Sequence, residues 1–362
     1  MTGPSPEPTG VAAPMEGPID VSPSCPVPLA PGGLVQLGHG GGGRLTAQLV
    51  GRLVPRFGDP ELARLADAAT LEVPAGRLAF TTDAFVVQPL AFPGGDIGSL
   101  AVYGTVNDLA MMGARPLALA AAFIIEEGLD LAVLDGVAVS MAEACRRAGV
   151  RLVAGDTKVV ERGAADGIYV TTSGIGCIPP GVEVGPERAR PGDVVLCSGP
   201  IGVHGIAVLS RRAGIAFDVD TCSDAAPLHE LVTAGLAAGE IHALRDPTRG
   251  GLAAVLNELA GASGVSITVE EEALVVPGPV AAACEMLGLD PLSVAGEGCC
   301  VALVHPDSAD AVLDAWRAQP VGAQAARIGE VGEGPATVRL RTRLGAHRPV
   351  LVPTGELLPR IC

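Results

Sequence analysis

Aromatic residues and positive charges are both scarce in this sequence. Phe, Tyr and Trp together make up 2% of the 362 residues, whereas hydrophobic residues make up 48%. The cores must therefore be built mainly from Ala, Val, Leu and Ile. The formal net charge is −16, and a surface of that sign attracts neither a phosphate backbone nor an anionic membrane. We therefore expect no nucleic-acid partner and no membrane partner.

Regular cysteine spacing, a signal peptide and a long apolar run are absent as well. The nine cysteines are odd in number and include no C-x-x-C pair, which disfavours a disulfide framework and a four-cysteine zinc site. The first residues lack a basic region followed by an apolar run. No stretch of about twenty residues is free of charges, Gly and Pro. These absences predict a protein of the reducing cytoplasm.

The chain changes composition along its length. Residues 1–33 are rich in Pro, Ser, Thr, Glu and Gly, and such a segment buries too little surface to offset the entropy of ordering it. We expect it to be a disordered leader. A Pro- and Gly-rich stretch from Pro179 to Gly192 is the best candidate for a domain boundary. Strands and helices mix without a strict βαβ order, which favours an α+β fold over a doubly wound parallel sheet.

A glycine cluster, His39-Gly40-Gly41-Gly42-Gly43, precedes a predicted helix. Consecutive glycines let backbone N–H groups approach an anion closely, and the start of a helix adds a favourable dipole. Gly40 and Gly42 are therefore candidate phosphate contacts. A flexible connector is the alternative reading of the same residues.

Four aspartates, Asp83, Asp108, Asp156 and Asp246, lie where strands or helices are predicted to meet loops. Asp83 follows a strand predicted to end at Thr82, and Asp156 follows a strand predicted for Val150 to Ala154. Asp108 lies on a predicted helix, and Asp246 precedes another. Mg²⁺ prefers a few carboxylates together with water and substrate phosphates, so aspartates that converge from separate loops indicate a nucleotide-phosphate site. Each could instead be a helix cap or a turn former, and Asp246 could cap the helix that follows it. No G-x-x-x-x-G-K-[ST] loop and no kinase signature is present, so ATP would bind in a site of another design.

Two further residues carry reactive groups. Glu297 stands between Gly296 and Gly298, where it could act as a base or could belong to a plain exposed turn. Cys362 is the last residue of the sequence and follows a segment, Pro349 to Pro359, that favours extended conformations. A thiol on a mobile terminus could carry a group between sites, or it could end a frayed tail.

Taken in order, these segments resemble the carbamoyl dehydratases of hydrogenase maturation, a family within the superfamily of aminoimidazole ribonucleotide synthetase and selenophosphate synthetase. The resemblance runs from about residue 34 to the end, and the terminal Pro359-Arg360-Ile361-Cys362 is specific to this family. The sequence departs from the family at Gly41, where Ser is usual, and at Val203, where Asp is usual. The matching segments are His39–Gly43, Thr81–Val87, Phe92–Gly98, Gly104–Met111, Gly155–Val160, Arg245–Leu252 and Gly296–Gly298.

The resemblance implies an α+β, two-domain fold like that of aminoimidazole ribonucleotide synthetase, with a flexible C-terminal tail. It assigns ATP binding and dimerisation to the N-terminal domain and implies a homodimer. The expected divisions are the leader at 1–33, the N-terminal domain at 34–178, the C-terminal α+β domain at 179–345 and the tail at 346–362.

The resemblance also implies a reaction and its partners. A carbamoyltransferase of the HypF type would place a carboxamide on the terminal cysteine sulfur. ATP would then be used to dehydrate the carboxamide to a thiocyanate, the source of the cyanide ligands of the [NiFe] hydrogenase iron. Phosphorylation of the amide oxygen makes it a better leaving group than hydroxide. A HypC–HypD complex that carries the iron would be the next partner.

The resemblance assigns each candidate residue a role. Cys362 would be the tether, Glu297 the base that removes protons from nitrogen, and Lys158 an assisting cation. Asp83, Asp108 and Asp246 would bind Mg²⁺ and ATP. The remaining nucleotide-binding candidates are Gly40, Gly42, Gly155, Asp156 and Thr157.

Two rival functions remain at this point. One is another ATP-dependent member of the superfamily that acts on a free small molecule, although this would leave the terminal cysteine unexplained. A selenophosphate synthetase would also need Cys or selenocysteine in the glycine loop, where this chain has His39. The other rival is a non-enzymatic scaffold that docks maturation partners.

Overall fold

The structure is a computed structural model that describes residues 33–213, 221–352 and 358–362. The predicted leader, except residue 33, and residues 353–357 of the predicted tail lie outside the described residues. Within the described ranges, no helix is long and apolar enough to cross a membrane.

The described residues form two β-sheets with helices packed on them. The helices are α1 (Arg44–Phe57), α2 (Ile97–Met111), α3 (Leu131–Arg147), α4 (Val203–Ala213), α5 (His229–Ala238), α6 (Gly251–Ser263), α7 (Gly278–Leu287) and α8 (Ala309–Arg317). The strands are β1 (Arg77–Phe85), β2 (Ala91–Phe92), β3 (Gly95–Asp96), β4 (Arg115–Glu126), β5 (Arg151–Val160), β6 (Ile168–Ile178), β7 (Val194–Cys197), β8 (Ile241–Arg245), β9 (Ser266–Glu270), β10 (Val301–Val304), β11 (Ala326–Gly332), β12 (Thr337–Arg341) and β13 (His347–Pro349).

The first sheet has four strands in the order β1-β6-β4-β5, and of its strand pairs only β4 and β5 run parallel. Helix α2 packs on one face, where the Thr172 hydroxyl donates to the Ala101 carbonyl at 3.1 Å. Helix α3 packs on α2, so α2 is apolar and buried along most of its length. Asp96 caps its first turn by accepting a hydrogen bond from the Ser99 amide at 2.9 Å. This helix is therefore a fixed support for the two polar residues it carries, Asn107 and Asp108.

The opposite face of the first sheet exposes apolar side chains. Side chains alternate between the two faces of a strand, so Leu78 and Phe80 project away from α2. They are 55% and 71% exposed, and Ile124 of β4 is 39% exposed on the same face. An exposed apolar sheet face of this kind is typical of an interaction surface.

The second sheet has seven strands in the order β13-β12-β9-β11-β7-β10-β8, and among these pairs only β9 and β12 are parallel. One face packs against α6, and the other packs against α5 and α8, where Trp316 is fully buried. Both cores consist mainly of Ala, Val, Leu and Ile, as the composition requires. The predicted α+β class is confirmed, because the strands are mostly antiparallel and helices cover both sheets.

The strand ends predicted beside Asp83 and Asp156 are wrong, and so is the alternative role of Asp246 as a helix cap. Strand β1 continues to Phe85, so Asp83 lies inside the strand and pairs with Thr172 instead of following the strand end. Strand β5 likewise continues to Val160, because Gly155 to Lys158 pair with Ala121 to Ile124 of β4. Both are edge strands, where polar side chains are tolerated next to solvent or a loop. Asp246 is not a helix cap, since Gly250 is the N-cap of α6.

A pair of glycine substitutions tests the packing of the second core. A Cβ on Gly235 in α5 would lie 2.5 Å from Trp316 Nε1, whereas a Cβ on Gly261 in α6 would meet nothing within 4 Å. We expect Gly235→Ala to lower the free energy of unfolding by about 1–3 kcal/mol through overpacking. Gly261→Ala should raise it by about 0.5–1 kcal/mol through helix propensity. Urea unfolding followed by the fluorescence of Trp316, the only tryptophan, measures both, and shifts of the same sign would contradict this packing.

Candidate active site

Four carboxylates from separate elements meet where the two sheets adjoin. Asp83 lies on β1 and Asp108 on α2, and the Thr81 hydroxyl donates to Asp108 Oδ2 at 2.8 Å. Strands β8 and β10 are antiparallel neighbours in which Arg245 pairs with Val301. The residue after β8, Asp246, therefore comes close to the loop before β10, which carries Glu297. Of the four aspartates predicted to converge, Asp83, Asp108 and Asp246 come together, along with Glu297. Asp156 does not join them within one chain, because it lies on β5 at the opposite edge of the first sheet.

Burial raises the pKa of every carboxyl in this cluster, and repulsion by neighbouring carboxylates adds to it at Asp108, Asp246 and Glu297. Burial, followed by the charge of Asp108, raises the pKa of Asp246 to about 7. Burial, followed by the charge of Asp246, raises the pKa of Glu297 well above its ordinary value. The pKa values of Asp83 and Asp108 are also raised, chiefly by burial. The cluster holds more negative charge than its surroundings stabilise, so it favours a proton or a cation.

The arrangement fits a divalent cation that also takes ligands from a substrate. Among the described residues, no group of three His, Cys, Asp or Glu side chains is close enough to hold a metal by itself. Glu297 Oε1 is buried and has no hydrogen-bond partner within the described part of the chain. Mg²⁺ typically binds one or two carboxylates plus phosphate oxygens, and these residues suit that mode better than a closed protein cage.

Glu297 is held rigidly from the backbone, and the alternative of a plain exposed turn is wrong because the residue is 2% exposed. The Asn107 amide donates to the Glu297 carbonyl at 3.3 Å and to the Ala226 carbonyl at 3.1 Å. Asp224 accepts hydrogen bonds from the amides of Glu297 at 3.3 Å and Gly298 at 3.1 Å. A Cβ on Gly298 would overlap the Asp224 carbonyl oxygen, so this position requires glycine.

A cavity of about 240 Å³ opens beside the carboxylates. Thr81, Asp108, Arg245 and Asp246 form part of its lining, and the rest is mainly apolar, including Phe80. Arg245 and Arg249 lower the pKa of Asp108 against the larger effect of burial. The cavity therefore combines negative groups, nearby guanidinium groups and an apolar wall, which suits a ligand with both charged and flat apolar parts.

The glycine cluster is packed against β5 and is not a loose connector. A Cβ on Gly40 would lie 2.7 Å from the Val159 amide nitrogen, so only glycine allows this approach. Gly42 has a φ of +79°, and its amide donates to Thr46 Oγ1 at 2.9 Å. Helix α1 starts at Arg44 without a side-chain cap, which leaves amides of its first turn available to an anion.

Strand β5 carries the only lysine of the chain, Lys158. Its Nζ lies 3.0 Å from Asp156 Oδ2, and the two side chains are 65% and 62% exposed. The hydrogen bond from Lys158 lowers the pKa of Asp156. Gly155 and Thr157 line a separate, mainly apolar cavity of about 140 Å³ under α1.

The structure does not bring Lys158 to Glu297 within one chain. Strands β1 and β5 are the two edges of the first sheet, and three strand spacings place them roughly 14 Å apart. Asp83 pairs with Thr172 of β6, and both side chains lie on the face of the first sheet that α2 covers. Asp156 pairs with Ala122 of β4, and both side chains lie on the opposite, exposed face. The nucleotide roles predicted for Gly155, Asp156, Thr157 and Lys158 stay predictions.

The terminal residues lie against the backbone that continues from β1, the strand that carries Asp83. The amides of Val86 and Gln88, just beyond β1, donate to the carbonyls of Cys362 at 3.2 Å and Arg360 at 3.1 Å. Residues 360–362 thus pair through backbone hydrogen bonds with the segment that begins at Val86, three residues after Asp83. The Arg360 guanidinium lies 2.6 Å from Asp166 Oδ2, so an ion pair with the first domain also holds the segment.

Two residues that sequence reasoning missed hold this segment. Arg212 donates to the carbonyls of Gln88 at 2.8 Å, Pro359 at 2.5 Å and Arg360 at 2.6 Å. His204 Nε2 lies 2.6 Å from the Ile361 carbonyl oxygen. In this structure residues 358–362 are therefore docked, and the predicted flexibility of the tail stays a prediction.

Comparison with known proteins places this arrangement in a family. The model of the AIR synthase related protein N-terminal domain matches residues 65–178, and that of the C-terminal domain matches residues 190–341. The chain is therefore an AIR synthase related protein, with the two-domain fold predicted for it.

Closer relatives define the family more narrowly. The chain is 53% identical over 334 residues to carbamoyl dehydratase HypE of Bradyrhizobium diazoefficiens, which covers 91% of this chain and 96% of that protein. A crystal structure of hydrogenase maturation protein HypE in complex with ATP is 47% identical, with a TM-score of 0.88, and covers 90% of this chain and 99% of that one. The chain belongs to the HypE family, which confirms the predicted resemblance. A crystal structure of a HypE–HypF complex also matches, with 47% identity and a TM-score of 0.75 over 86% of this chain and 100% of that chain.

The raised pKa of Asp246 predicts a pH-dependent gain of stability when its charge is removed. A carboxyl whose folded pKa is raised from 3.8 to about 7 destabilises the fold progressively as pH rises between those values. Asp246→Asn should therefore raise the free energy of unfolding of the ligand-free protein by on the order of 2 kcal/mol at pH 8 and by less at pH 5. Thermal unfolding at both pH values measures this, with the exposed Asp67→Asn as the control. A loss of stability at pH 8 would contradict the predicted repulsion.

Proposed function

We propose that this protein is an ATP-dependent dehydratase that converts a carboxamide carried on the sulfur of Cys362 into a thiocyanate. The family supports the reaction class, since relatives are carbamoyl dehydratases and one was crystallised with ATP. The observation that carries the proposal is the position of the terminal segment. Residues 360–362 lie against Val86 and Gln88, within a few residues of the buried carboxylates. A carrier thiol there would present its load to the site at high effective concentration.

Asp83, Asp108 and Asp246 are proposed to hold Mg²⁺ and the nucleotide phosphates. Their raised pKa values and the adjoining cavity suit a ligand that brings positive charge with it. ATP, when bound, supplies the phosphoryl group that turns the amide oxygen into a leaving group. Residues of the chain must then remove the protons from the amide nitrogen.

Glu297 is proposed to be the base for this deprotonation. Its carboxyl is buried, lacks a partner at Oε1, and has a pKa raised well above the ordinary value. A carboxyl with a raised pKa binds a proton more tightly than an ordinary carboxyl does. Because a carboxylate has two oxygens and Oε1 is unpartnered, the group can take a proton from a substrate without breaking an existing hydrogen bond at that atom.

Lys158 is proposed to act from a second copy of the chain. Within one chain it stands on the far edge and the exposed face of the first sheet, about 14 Å from the β1 edge. That face also carries the exposed Leu78, Phe80 and Ile124. A homodimer that buries these apolar side chains would bring the β5 edge of one chain towards the carboxylates of its partner, and each site would then be composite.

The partners and the compartment follow from the reaction. A carbamoyltransferase of the HypF type would load Cys362, and a relative of this chain has been crystallised with HypF. The thiocyanate would pass to a HypC–HypD complex that supplies the iron of a [NiFe] hydrogenase. A thiol carrier must stay reduced to be loaded, which is consistent with the cytoplasm.

Substitution of the carrier cysteine tests the central step. Cys362→Ala should still bind ATP but should form no thiocyanate, because the substrate has no attachment point. Intact-protein mass spectrometry after incubation with carbamoyltransferase, carbamoyl phosphate and ATP would show loss of one water from the carbamoylated wild-type protein. Cys222→Ala, which removes another exposed cysteine, is the control and should behave like the wild type. Cyanation of the Cys362→Ala protein would exclude the carrier role.

Mixed dimers test whether each site is composite. Lys158→Ala and Glu297→Gln homodimers should both be inactive. A heterodimer of the two variants should have about half the wild-type activity, because one of its two symmetric sites keeps both residues. It can be purified by two different tags and assayed for thiocyanate.

The matched control is a heterodimer of the wild type with the double variant. It should be inactive if the two residues come from different chains, since each site then lacks one of them. The opposite pattern, with this control half active and the first heterodimer inactive, would assign both residues to the same chain.

A further inference from the structure

A loop between α4 and α5 lies between the docked tail and the loop of Glu297. Its described part begins at Thr221, and helix α5 begins at His229. The amide of Ser223 donates to the Pro93 carbonyl at 2.7 Å, so the loop is anchored to the first domain. Two neighbouring residues of the loop, Ser223 and Asp224, face the tail side and the Glu297 side respectively.

On the tail side, the contact passes through His204. Its ring is fully buried and packs edge-on against Phe92, with centroids 5.3 Å apart. Burial lowers the pKa of His204 to about 4, so the ring is neutral near pH 7. The Ile361 carbonyl, 2.6 Å from Nε2, can only accept. Nε2 therefore carries the proton, and Nδ1 accepts a hydrogen bond from the Ser223 hydroxyl at 2.7 Å.

On the other side, the contact passes through Asp224. Its carboxylate accepts hydrogen bonds from the amides of Glu297 and Gly298, and these two amides orient the backbone from which the Glu297 side chain projects. The chain of contacts thus runs from the Ile361 carbonyl through His204, Ser223 and Asp224 to Glu297, with one hydrogen bond or one peptide bond at each step.

A second contact path runs parallel to the first. The next residue after His204, Gly205, donates its amide to the Ala295 carbonyl at 3.0 Å. A Cβ on Gly205 would lie 3.2 Å from Leu358 Cδ1 and 2.6 Å from Val294 Cγ1. The start of α4 therefore lies against two segments: the buried Leu358 of the tail, and Val294 and Ala295, which lead into Glu297.

We propose that His204, Ser223 and Asp224 couple docking of the tail to the position of Glu297. The docked tail holds the Glu297 loop in its reactive position, and loosening of either end loosens the other. This inference rests on the proposed function, in which Cys362 carries the substrate and Glu297 is the base. The three residues touch neither reacting atoms nor phosphates in the proposal, so they are positioning residues. Because coupling between two sites is reciprocal, it can be measured from both ends.

The first measurement starts at the Glu297 end and needs no catalysis. Asp224→Asn removes the carboxylate that the amides of Glu297 and Gly298 share, and no tail atom is among its hydrogen-bond partners. We expect alkylation of Cys362 by iodoacetamide, resolved by peptide mass spectrometry, to become about fivefold faster, within the usual range of coupling between sites. Asp290→Asn is the control, since that carboxylate accepts hydrogen bonds from Leu292 and from Arg348 of β13, and residues 358–362 are not among its hydrogen-bond partners.

The second measurement starts at the tail. Arg212→Ala removes hydrogen bonds to three carbonyls around the tail. We expect faster hydrogen exchange at the amides of Glu297 and Gly298, although Arg212 is not among their hydrogen-bond partners. Ser223→Ala, which removes only a hydroxyl, should affect both readouts and serves if Asp224→Asn fails to fold.

These readouts separate the coupling from the proposed reaction. Cys362 alkylation that stays at the Asp290→Asn rate in the Asp224 and Ser223 variants would overturn the coupling, and so would unchanged exchange at Glu297 in the Arg212 variant. Neither result depends on thiocyanate formation. Failure of the dehydratase proposal would instead appear as absent cyanation in a wild-type protein that still shows the coupling.

Discussion

Repulsion among buried carboxylates is the constraint on which the site depends. Asp83, Asp108, Asp246 and Glu297 are brought together by two sheets and one buried helix. Burial raises the pKa of all four, and the neighbouring carboxylates raise it further at Asp108, Asp246 and Glu297. Such a cluster is unfavourable for folding when it is ionised and empty. A cation bound among these carboxylates, as proposed here, would offset their repulsion, since its positive charge attracts them. In the proposed function, substrate binding would therefore increase the stability of the folded protein.

The fold supports this strained cluster with rigid neighbours. Helix α2 is buried between the first sheet and α3, and it holds Asp108 and Asn107 at fixed positions. Asn107 and Asp224 then fix the backbone of Glu297. The terminal segment is attached to the same frame through Val86, His204 and Arg212. Glu297 and Cys362, the proposed base and the proposed carrier, are therefore attached to the same frame, although they are far apart in sequence.

Much of the fold and part of the site could be predicted from the sequence. The mixed order of strands and helices predicted the α+β class, and three of the four aspartates predicted to converge, Asp83, Asp108 and Asp246, do come together. The predicted ends of β1 and β5 were wrong. Asp83 and Asp156 were interpreted as loop residues because they are polar, but edge strands tolerate polar side chains. Asp224, His204 and Arg212 could not be found, since their roles depend on contacts with residues more than 70 positions away. The separation of Lys158 from Glu297 depends on strand order, which no local pattern encodes.

The central claim is that the thiol of Cys362 and the metal–nucleotide site form one reaction centre. Electron–nuclear double resonance would test it directly, with Mn²⁺ in place of Mg²⁺, ATP, and a ¹³C-labelled carboxamide loaded on Cys362. The account predicts a resolved dipolar coupling between Mn²⁺ and the ¹³C nucleus, which should disappear in the Asp246→Asn protein. A metal–nucleotide complex that binds fully and shows no coupling to the labelled carbon would contradict the account.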